Sequence, residues 1–241
     1  MIKKRRVVVT GIGMVTPLGL NVPTTWEAIL AARSGVKRIT QFDASEFSCQ
    51  FSASVKNFDP SAGNISPKDE KKMDLFIQYG LVAAMEAIQD AQIELDPHSR
   101  VSDKVSDRIG VAVGSGIGGL AFIEENHTRL EGQGPRRVSP FFIPGAITNM
   151  LSGQISIRYG FKGPNIAVVT ACTTGTHNIG LGARSIIHGD ADVMIVGGSE
   201  MATTPLGLAG FAACRALSTQ NDRPQLASRP WDKDRDRFCS R

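Results

Sequence analysis

The chain contains the stretch Ile166-Ala167-Val168-Val169-Thr170-Ala171-Cys172-Thr173-Thr174-Gly175. Its first four residues are apolar and mostly β-branched, which predicts a short buried strand. The two threonines are good helix-capping residues, and the small, Gly-rich segment 175–189 predicts a helix. Cys172 therefore falls where a strand meets a helix N-terminus. Unpaired N–H groups and the positive end of the helix dipole favour the nucleophilic thiolate there.

Position alone leaves two interpretations of Cys172 open. A cysteine after an apolar run is commonly a small buried core residue. The order strand, Cys, Thr-Thr-Gly, helix instead has the mechanics of a nucleophile elbow, in which a tight turn presents the reactive atom at a helix start. Periodicity does not choose between them.

The composition is that of an ordinary globular protein, with 241 residues, 41% hydrophobic and 21% charged. A net charge of +4 allows an acidic partner, but it does not predict nucleic-acid binding, which needs a clustered basic stripe. No apolar run approaches the roughly 20 residues that cross a bilayer, and no signal-peptide core follows the N-terminus. We therefore expect a cytoplasmic protein that binds neither nucleic acid nor membrane.

The cysteines and the glycine-rich segments give no cofactor or metal site. The four cysteines have no CxxC or Cys/His metal spacing, and we expect free thiols at Cys49, Cys172, Cys214 and Cys239. Gly11-Ile12-Gly13 lacks the third glycine of a dinucleotide fingerprint and is followed by Pro17. Ser115–Gly119 lacks the Lys-Ser/Thr pair of a P-loop. We expect no cofactor.

Alternating strand and helix patterns predict an α/β layered fold. Strands are predicted at 7–10, near 51–55, at 109–114 and at 191–196, and helices after a capping box at Thr24–Glu27, after 119 and over 145–158. The longest helix is predicted to begin at Ser66. Its core-facing positions follow helical spacing: Met73, Phe76, Ile77, Leu81, Ala84 and Ile88.

Two surface features have both a structural and a functional interpretation. Lys68, Lys71 and Lys72 share one helix face, which is usually just a solvated surface but could receive an acidic partner. The run Ser139–Pro144 is apolar and contains two prolines. It is equally consistent with a buried connector and with an exposed partner surface.

Several motifs agree in order with one known family. They are Thr170-Ala171-Cys172-Thr173-Thr174-Gly175, Gly189-Asp190-Ala191-Asp192, Gly197-Gly198-Ser199-Glu200 and, near the N-terminus, Arg5-Arg6-Val7-Val8-Val9-Thr10-Gly11. Together they resemble the β-ketoacyl-acyl-carrier-protein synthases, and specifically the bacterial type II condensing enzymes that elongate fatty acyl chains. The resemblance extends to about Asp236.

This resemblance implies the N-terminal half of a thiolase-like αβαβα fold, with a mixed sheet flanked by helices and residues 1–241 as one synthase N-terminal domain. It implies that Cys172 accepts the acyl chain. The implied acyl-pocket residues are Ile117, Phe142 and Phe211, with Phe142 crossing a homodimer interface. The implied docking residues for the acidic acyl carrier protein, in its acyl and malonyl forms, are Lys68, Lys71, Lys72, Arg136, Arg137 and Arg215.

The implied reaction is acyl transfer to the Cys172 thiolate, followed by decarboxylative condensation with malonyl-carrier protein. The Cys172 backbone N–H is one candidate oxyanion-hole donor. None of the four histidines suits a partnership with Cys172: His177 lies roughly 140° around the helix axis, His188 lies at the far helix end, and His98 and His127 have polar surroundings.

The last residues, 237–241, depart from the Gly-Phe continuation that the family has. The two histidines and the lysine that complete the family's site belong to its second half, so we expect this chain to be truncated and to lack the condensation step. A non-catalytic module that binds carrier protein or mediates dimerisation is the main alternative. A dinucleotide-binding oxidoreductase is a weaker one that depends on Gly11-Ile12-Gly13 alone.

Overall fold

The computed structural model describes residues 5–236. The helices are α1 Val22–Leu30, α2 Pro67–Glu70, α3 Leu75–Asp90, α4 Asp103–Ser106, α5 Leu120–Gln133, α6 Phe142–Ala146, α7 Met150–Tyr159, α8 Thr174–His188 and α9 Pro205–Ala213. The strands are β1 Lys37–Arg38, β2 Phe51–Ser52, β3 Ile109–Gly114, β4 Asn165–Ile166 and β5 Val193–Gly198. These elements form two compact units. Among the described residues, the large unit contains 5–14 and Asp59–Glu200, and the small unit contains Val15–Phe58 and 201–236.

The large unit is built on a parallel sheet with the strand order β4-β3-β5. The middle strand, β3, has the predicted bounds and is buried along its whole length. Helices α7 and α8 pack against it, and α3 packs on α7. Gly182 lets α8 approach the sheet, because a Cβ there would lie 2.3 Å from a methyl group of Val196. Strands covered by helices give the α/β layering that the sequence predicts.

The predicted core face is confirmed, since all six apolar positions named above are buried; five lie on α3, and Met73 lies just before it. The predicted start of α3 is wrong. Ser66 caps only the four-residue helix α2, and a separate cap, Asp74, begins α3 by accepting the Phe76 N–H at 3.2 Å. The Asp74 N–H donates to the carbonyl of Gly145 at 3.2 Å. A tertiary contact thus fixes the residue at which the chain turns between the two helices.

The strand predicted before Cys172 is also wrong for most of its length. Only Ile166 of the predicted residues lies in a strand, and Val169 is exposed. The reason lies in Asn178, whose amide oxygen accepts the Val168 N–H and whose amide nitrogen donates to the Val168 carbonyl, at 3.1 and 2.9 Å. The side chain replaces the neighbouring strand that these backbone groups would otherwise need.

Three other boundaries in the large unit differ from expectation. Residues 7–10 are not a strand, and within residues 5–236 no strand pairs with them. The strand expected at 191–196 occupies Val193–Gly198. The helix expected over 145–158 begins at Met150, after the separate short helix α6. Gly11 and Gly13 instead pack on α3, where a Cβ would lie 2.2 Å from the Ala87 carbonyl oxygen and 1.8 Å from that of Ala83.

The small unit contains α1, α9 and the antiparallel pair of β1 and β2. The predicted capping box is wrong, because Asn21 caps α1 by accepting the Thr24 N–H at 2.9 Å. The strand expected near 51–55 is present but short. The core of the small unit is a cluster of buried apolar residues: Ile39, Ala44, Cys49, Phe51, Leu208 and Ala227. Parallel and antiparallel pairs are thus both present, as a mixed arrangement requires, but in two separate sheets.

Candidate active site around Cys172

Cys172 lies in a single 3₁₀ turn, Ala171–Thr173, directly before α8, and its side chain is exposed. This placement at a helix N-terminus is the predicted one. Ala171 has φ +52°, a left-handed conformation that costs free energy for a residue with a Cβ. The surrounding structure must therefore hold this turn in place.

The two threonines after Cys172 hold the turn rather than cap the helix. Thr173 is the N-cap residue of α8, but its side chain makes no capping hydrogen bond to the helix. Its hydroxyl instead donates to the Thr170 carbonyl at 2.8 Å, while the Thr174 hydroxyl accepts the Thr170 N–H at 2.9 Å. The capping role predicted for these threonines is wrong, because Thr170 competes for both hydroxyls.

Two residues on the first turns of α8 also hold the Cys172 turn. His177 Nδ1 lies 2.7 Å from the Thr170 hydroxyl, so this histidine is tied to the residue two positions before Cys172. Asn178 is fully buried, and besides its bonds to Val168 it donates to the Thr174 carbonyl at 2.9 Å. The thiol is thus presented by a turn that side-chain hydrogen bonds fix on both sides.

The loop that follows β3 is held by the carboxylate of Glu200. One carboxylate oxygen accepts the Ser115 hydroxyl at 2.9 Å, and the other accepts the N–H groups of Gly116 and Ile117 at 2.8 and 3.1 Å. The Ser115 hydroxyl in turn accepts the Gly118 N–H at 2.9 Å. Glu200 follows β5 and the loop follows β3, and because these strands are parallel, both groups reach the same edge of the sheet.

This loop lies against the Cys172 turn. A Cβ on Gly116 would lie 3.1 Å from the carbonyl oxygen of Ala171, so the two backbones approach closely. On its other side the loop meets α6, since the Gly119 N–H donates to the Ala146 carbonyl at 2.8 Å. The fold therefore brings the loop that carries Ile117 close to the Cys172 turn and next to the helix that carries Phe142.

Buried charge lies close to this edge. The Asp74 carboxylate is 4% exposed, and burial raises its pKa, although N–H bonds from Phe122, Phe76 and Leu75 oppose the rise. The negative charge of Glu200 raises this pKa further. The Ser199 hydroxyl donates to the Phe76 carbonyl at 2.7 Å, which ties the start of α3 to the end of β5.

The basic residues of the large unit lie on segments that touch. Lys68 and Lys71 are exposed, as are Arg136 and Arg137 in the 3₁₀ turn Pro135–Arg137. Lys72 is less free to bind an acidic partner than predicted, because it forms an ion pair with Asp69 at 2.6 Å and lies over the Phe141 ring. Bonds from Lys72 and Ser66 lower the pKa of Asp69. The Lys72–Phe141 contact joins the two basic segments.

Other predicted residues lie elsewhere in the structure. Phe211 is on α9 and Arg215 follows that helix, both in the small unit. His188 ends α8, as predicted.

Among residues 5–236, no group of three or more His, Cys, Asp or Glu side chains could hold a metal ion. No helix in the same range has the length and apolar character that a membrane span requires. Cys239 and the divergent residues 237–241 lie outside the described residues.

Sequence reasoning missed the roles of Glu200 and Asn178. Glu200 belongs to a quoted motif, yet only its place after a strand parallel to β3 could have indicated a link to Ser115–Gly118. Asn178 has the weaker signal of a polar residue on a helix that packs against the sheet. Both act through contacts between segments far apart in sequence, which periodicity does not report.

The fold and this site define an α/β protein that presents an exposed thiol at a helix N-terminus, beside the carboxyl edge of a parallel sheet. Comparison with known proteins narrows the class. The sequence model of the family described as "Beta-ketoacyl synthase, N-terminal domain" matches residues 4–239. The chain therefore belongs to the β-ketoacyl synthase family, in which it corresponds to the N-terminal domain.

Similar curated proteins carry the name 3-oxoacyl-[acyl-carrier-protein] synthase 2. The protein from Coxiella burnetii is 56% identical over 98% of this chain and 55% of its own length. The one from Staphylococcus aureus (strain N315) is 47% identical over 99% of this chain and 56% of its own length. The chain thus spans about half the length of the curated relatives it matches.

Solved structures confirm the thiolase-like α/β fold. A β-ketoacyl synthase from Burkholderia phymatum has a TM-score of 0.84 and 30% identity, covering 98% of this chain and 56% of its own. A ketosynthase solved in complex with its type II PKS acyl-carrier protein has a TM-score of 0.73 and 27% identity. That match covers 90% of this chain and 57% of the other.

Proposed function

We propose that Cys172 is the acyl acceptor of a 3-oxoacyl-[acyl-carrier-protein] synthase of fatty acid biosynthesis. The observation that carries this proposal is the exposed Cys172 thiol in a rigidly held turn at the N-terminus of α8. Unpaired N–H groups at a helix N-terminus favour a thiolate. Relatives at 47–56% identity that carry this enzyme name support it.

In the first step the Cys172 thiolate attacks the carbonyl carbon of the acyl-carrier thioester. The new S–C bond forms as the carrier's C–S bond breaks, and the carrier sulfur leaves as a thiolate that takes a proton from water. The Cys172 N–H is a candidate donor to the oxyanion that develops on the carbonyl oxygen. In the whole protein, malonyl-carrier protein then loses CO₂, and its carbanion attacks the acyl-enzyme carbonyl and releases the Cys172 thiolate.

We propose that the acyl chain enters a pocket lined by Ile117, Phe142 and Phe211, with Phe142 supplied across a homodimer interface. Support for the interface comes from three large apolar side chains around α6 that are 41–59% exposed: Phe141, Ile143 and Ile147. Analytical ultracentrifugation of the chain and of the Ile143→Asp variant tests this. The variant is expected to shift the equilibrium towards monomer, and an unchanged distribution would contradict the interface.

The proposed partner is an acidic acyl carrier protein that docks on Lys68, Lys71, Lys72, Arg136, Arg137 and Arg215. Exposure of the first two lysines and of the arginine pair supports electrostatic steering of an acidic surface. A cytoplasmic site of action is consistent with the free thiols of Cys49, Cys172 and Cys214. The double substitution Lys68→Glu and Lys71→Glu reverses the charge of these side chains and should weaken carrier-protein binding. The matched control Lys162→Glu removes a lysine that pairs with Asp103 and should leave binding unchanged.

The acyl-acceptor role is tested by incubating the protein with acyl-carrier protein and measuring intact mass. We expect a mass increase of one acyl group, which Cys172→Ala abolishes and Cys214→Ala preserves. Cys214 is the appropriate control because its thiol is also exposed. Binding without a mass increase would favour the non-catalytic module instead, and labelling that survives Cys172→Ala would contradict the assignment.

A further inference from the structure

Glu200 is linked to the Cys172 backbone through the loop that follows β3. Glu200 accepts three hydrogen bonds from Ser115, Gly116 and Ile117, and these hold the loop after β3. The main chain at Gly116 is held closely on both sides. A Cβ there would lie 2.7 Å from a Glu200 carboxylate oxygen and 3.1 Å from the Ala171 carbonyl oxygen.

The contact with Ala171 bears directly on Cys172 because the peptide unit is planar. The carbonyl of Ala171 and the N–H of Cys172 belong to the same peptide unit. Gly116 would also place a Cβ 3.2 Å from the Ala171 carbonyl carbon, so the loop packs against this plane. Ala171 is in the left-handed region, with φ +52°, and an external contact is what such a conformation requires.

We propose that Glu200 is a positioning residue that acts through Gly116 to fix the Ala171–Cys172 peptide plane, and thereby the direction of the Cys172 N–H. This role rests on the proposed acyl transfer, in which that N–H stabilises the oxyanion. Glu200 touches neither the thiol nor the substrate in this role. It determines how well the oxyanion donor is aligned.

The test compares two reactions of the same thiol. Acylation by an acyl-carrier thioester passes through an oxyanion, whereas alkylation by iodoacetamide does not. Glu200→Ala is expected to lower the ratio of acylation rate to alkylation rate about tenfold, because a misdirected donor loses part of the roughly 100-fold or larger effect of one oxyanion-hole hydrogen bond. Glu200→Gln keeps an acceptor for the two loop N–H groups and should recover most of the ratio.

A matched control separates positioning from a general loss of structure. The Glu86 carboxylate also accepts a backbone N–H, that of Met14 at 2.9 Å. Glu86→Ala should leave the ratio unchanged. If Glu200→Ala fails to fold, Glu200→Asp serves instead, because its shorter side chain draws the carboxylate away from the loop N–H groups and should lower the ratio in the same way. An unchanged ratio in these variants, or an equal fall of both rates, overturns the proposal.

Hydrogen–deuterium exchange keeps the proposal testable if the wild-type thiol is not acylated at all. That result would contradict the proposed function of this chain, but the positioning link would still be measurable. Glu200→Ala is expected to speed exchange in both 115–118 and 170–173, whereas Glu86→Ala is not. Faster exchange confined to 115–118 would overturn the link to Cys172.

Discussion

The two ends of the parallel sheet in the large unit are held by different kinds of interaction. At the carboxyl end, the carboxylates of Glu200 and Asp74 accept backbone N–H groups, Glu200 that of Gly116 and Asp74 that of Phe122. At the amino end, Asp192 is paired with Arg108 and Arg5 at 2.9 and 2.6 Å, and all three side chains are about half exposed. Carboxylates thus hold backbone segments in place at one end of the sheet, whereas the carboxylate at the other end forms solvated ion pairs.

The energetic consequence follows from solvent access. Exposed ion pairs contribute little because water and salt screen them. The buried Asp74 carboxylate contributes more, since removing it leaves the N–H groups of Phe76 and Phe122 without this acceptor. Glu200 is exposed but accepts three hydrogen bonds from one loop, so its removal frees the loop that lies against the Cys172 turn.

The largest effect is expected from removing the buried amide that organises the Cys172 turn. Asn178→Ala leaves the N–H and carbonyl of Val168 without their partner and removes a side-chain bond to the Thr174 carbonyl, and should lower the free energy of unfolding by about 2 to 3 kcal/mol. It should also slow acylation of Cys172. Urea titration and the acylation rate measure the two effects.

Asn126→Ala is the control for that change. Asn126 is also buried, and it bonds to the Phe122 carbonyl and the Ser139 N–H, both at 2.8 Å. It should cost similar stability without slowing acylation by more than the unfolded fraction explains. Equal slowing in both variants would show that Asn178 has no special relation to Cys172.

An intermediate effect is expected from Asp74→Asn in the dependence of stability on pH. Burial raises the pKa of Asp74, so the folded protein holds this proton when the unfolded chain has lost it. Its contribution therefore favours folding below the ordinary aspartate pKa of about 3.9 and declines as the pH rises from there to the raised value. The variant should lack this decline. Urea titrations across that pH range measure this. If the free energy of unfolding changed with pH in the same way in both proteins, the assignment would be contradicted.

The smallest effect is expected from Asp192→Asn, with the opposite sign. Hydrogen bonds from Arg108 and then Arg5 lower the pKa of Asp192, so its contribution is present above the ordinary pKa of about 3.9 and is lost as the pH falls below it. The variant should show a shallower loss of stability in acid, and added salt should reduce the difference from wild type. A large change in the free energy of unfolding at pH 7 and high salt would contradict the expectation that solvent and salt screen the Asp192 ion pairs.

The sequence predicts the features that depend on local pattern. The run from Ile109 to Gly114 is apolar and ends in glycine, and the strand has those bounds. The apolar spacing of α3 predicts its buried face. Cys172 is placed at the start of α8, as the Thr-Thr-Gly sequence indicates. In each case the residues that determine the outcome are neighbours in the chain.

The features that the sequence mispredicts depend on partners far away in the chain. Val168 and Val169 have strand-like side chains, but Asn178 takes the hydrogen bonds of Val168. Ser66 is a good cap, yet Asp74 and its contact with Gly145 interrupt the helix that Ser66 begins. Glu200 lies 84 positions from Gly116, and nothing local to either residue reports their hydrogen bond.

In the proposed reaction, the carboxyl end of the sheet positions the Cys172 backbone for acyl transfer, and the amino end does not. The most direct test measures the ratio of acylation to alkylation rates at Cys172 in the wild type, Glu200→Ala and Asp192→Asn under the same conditions. We predict a fall of about tenfold in Glu200→Ala and no change in Asp192→Asn. Equal ratios in all three proteins, or an equal fall in the two variants, would contradict the claim.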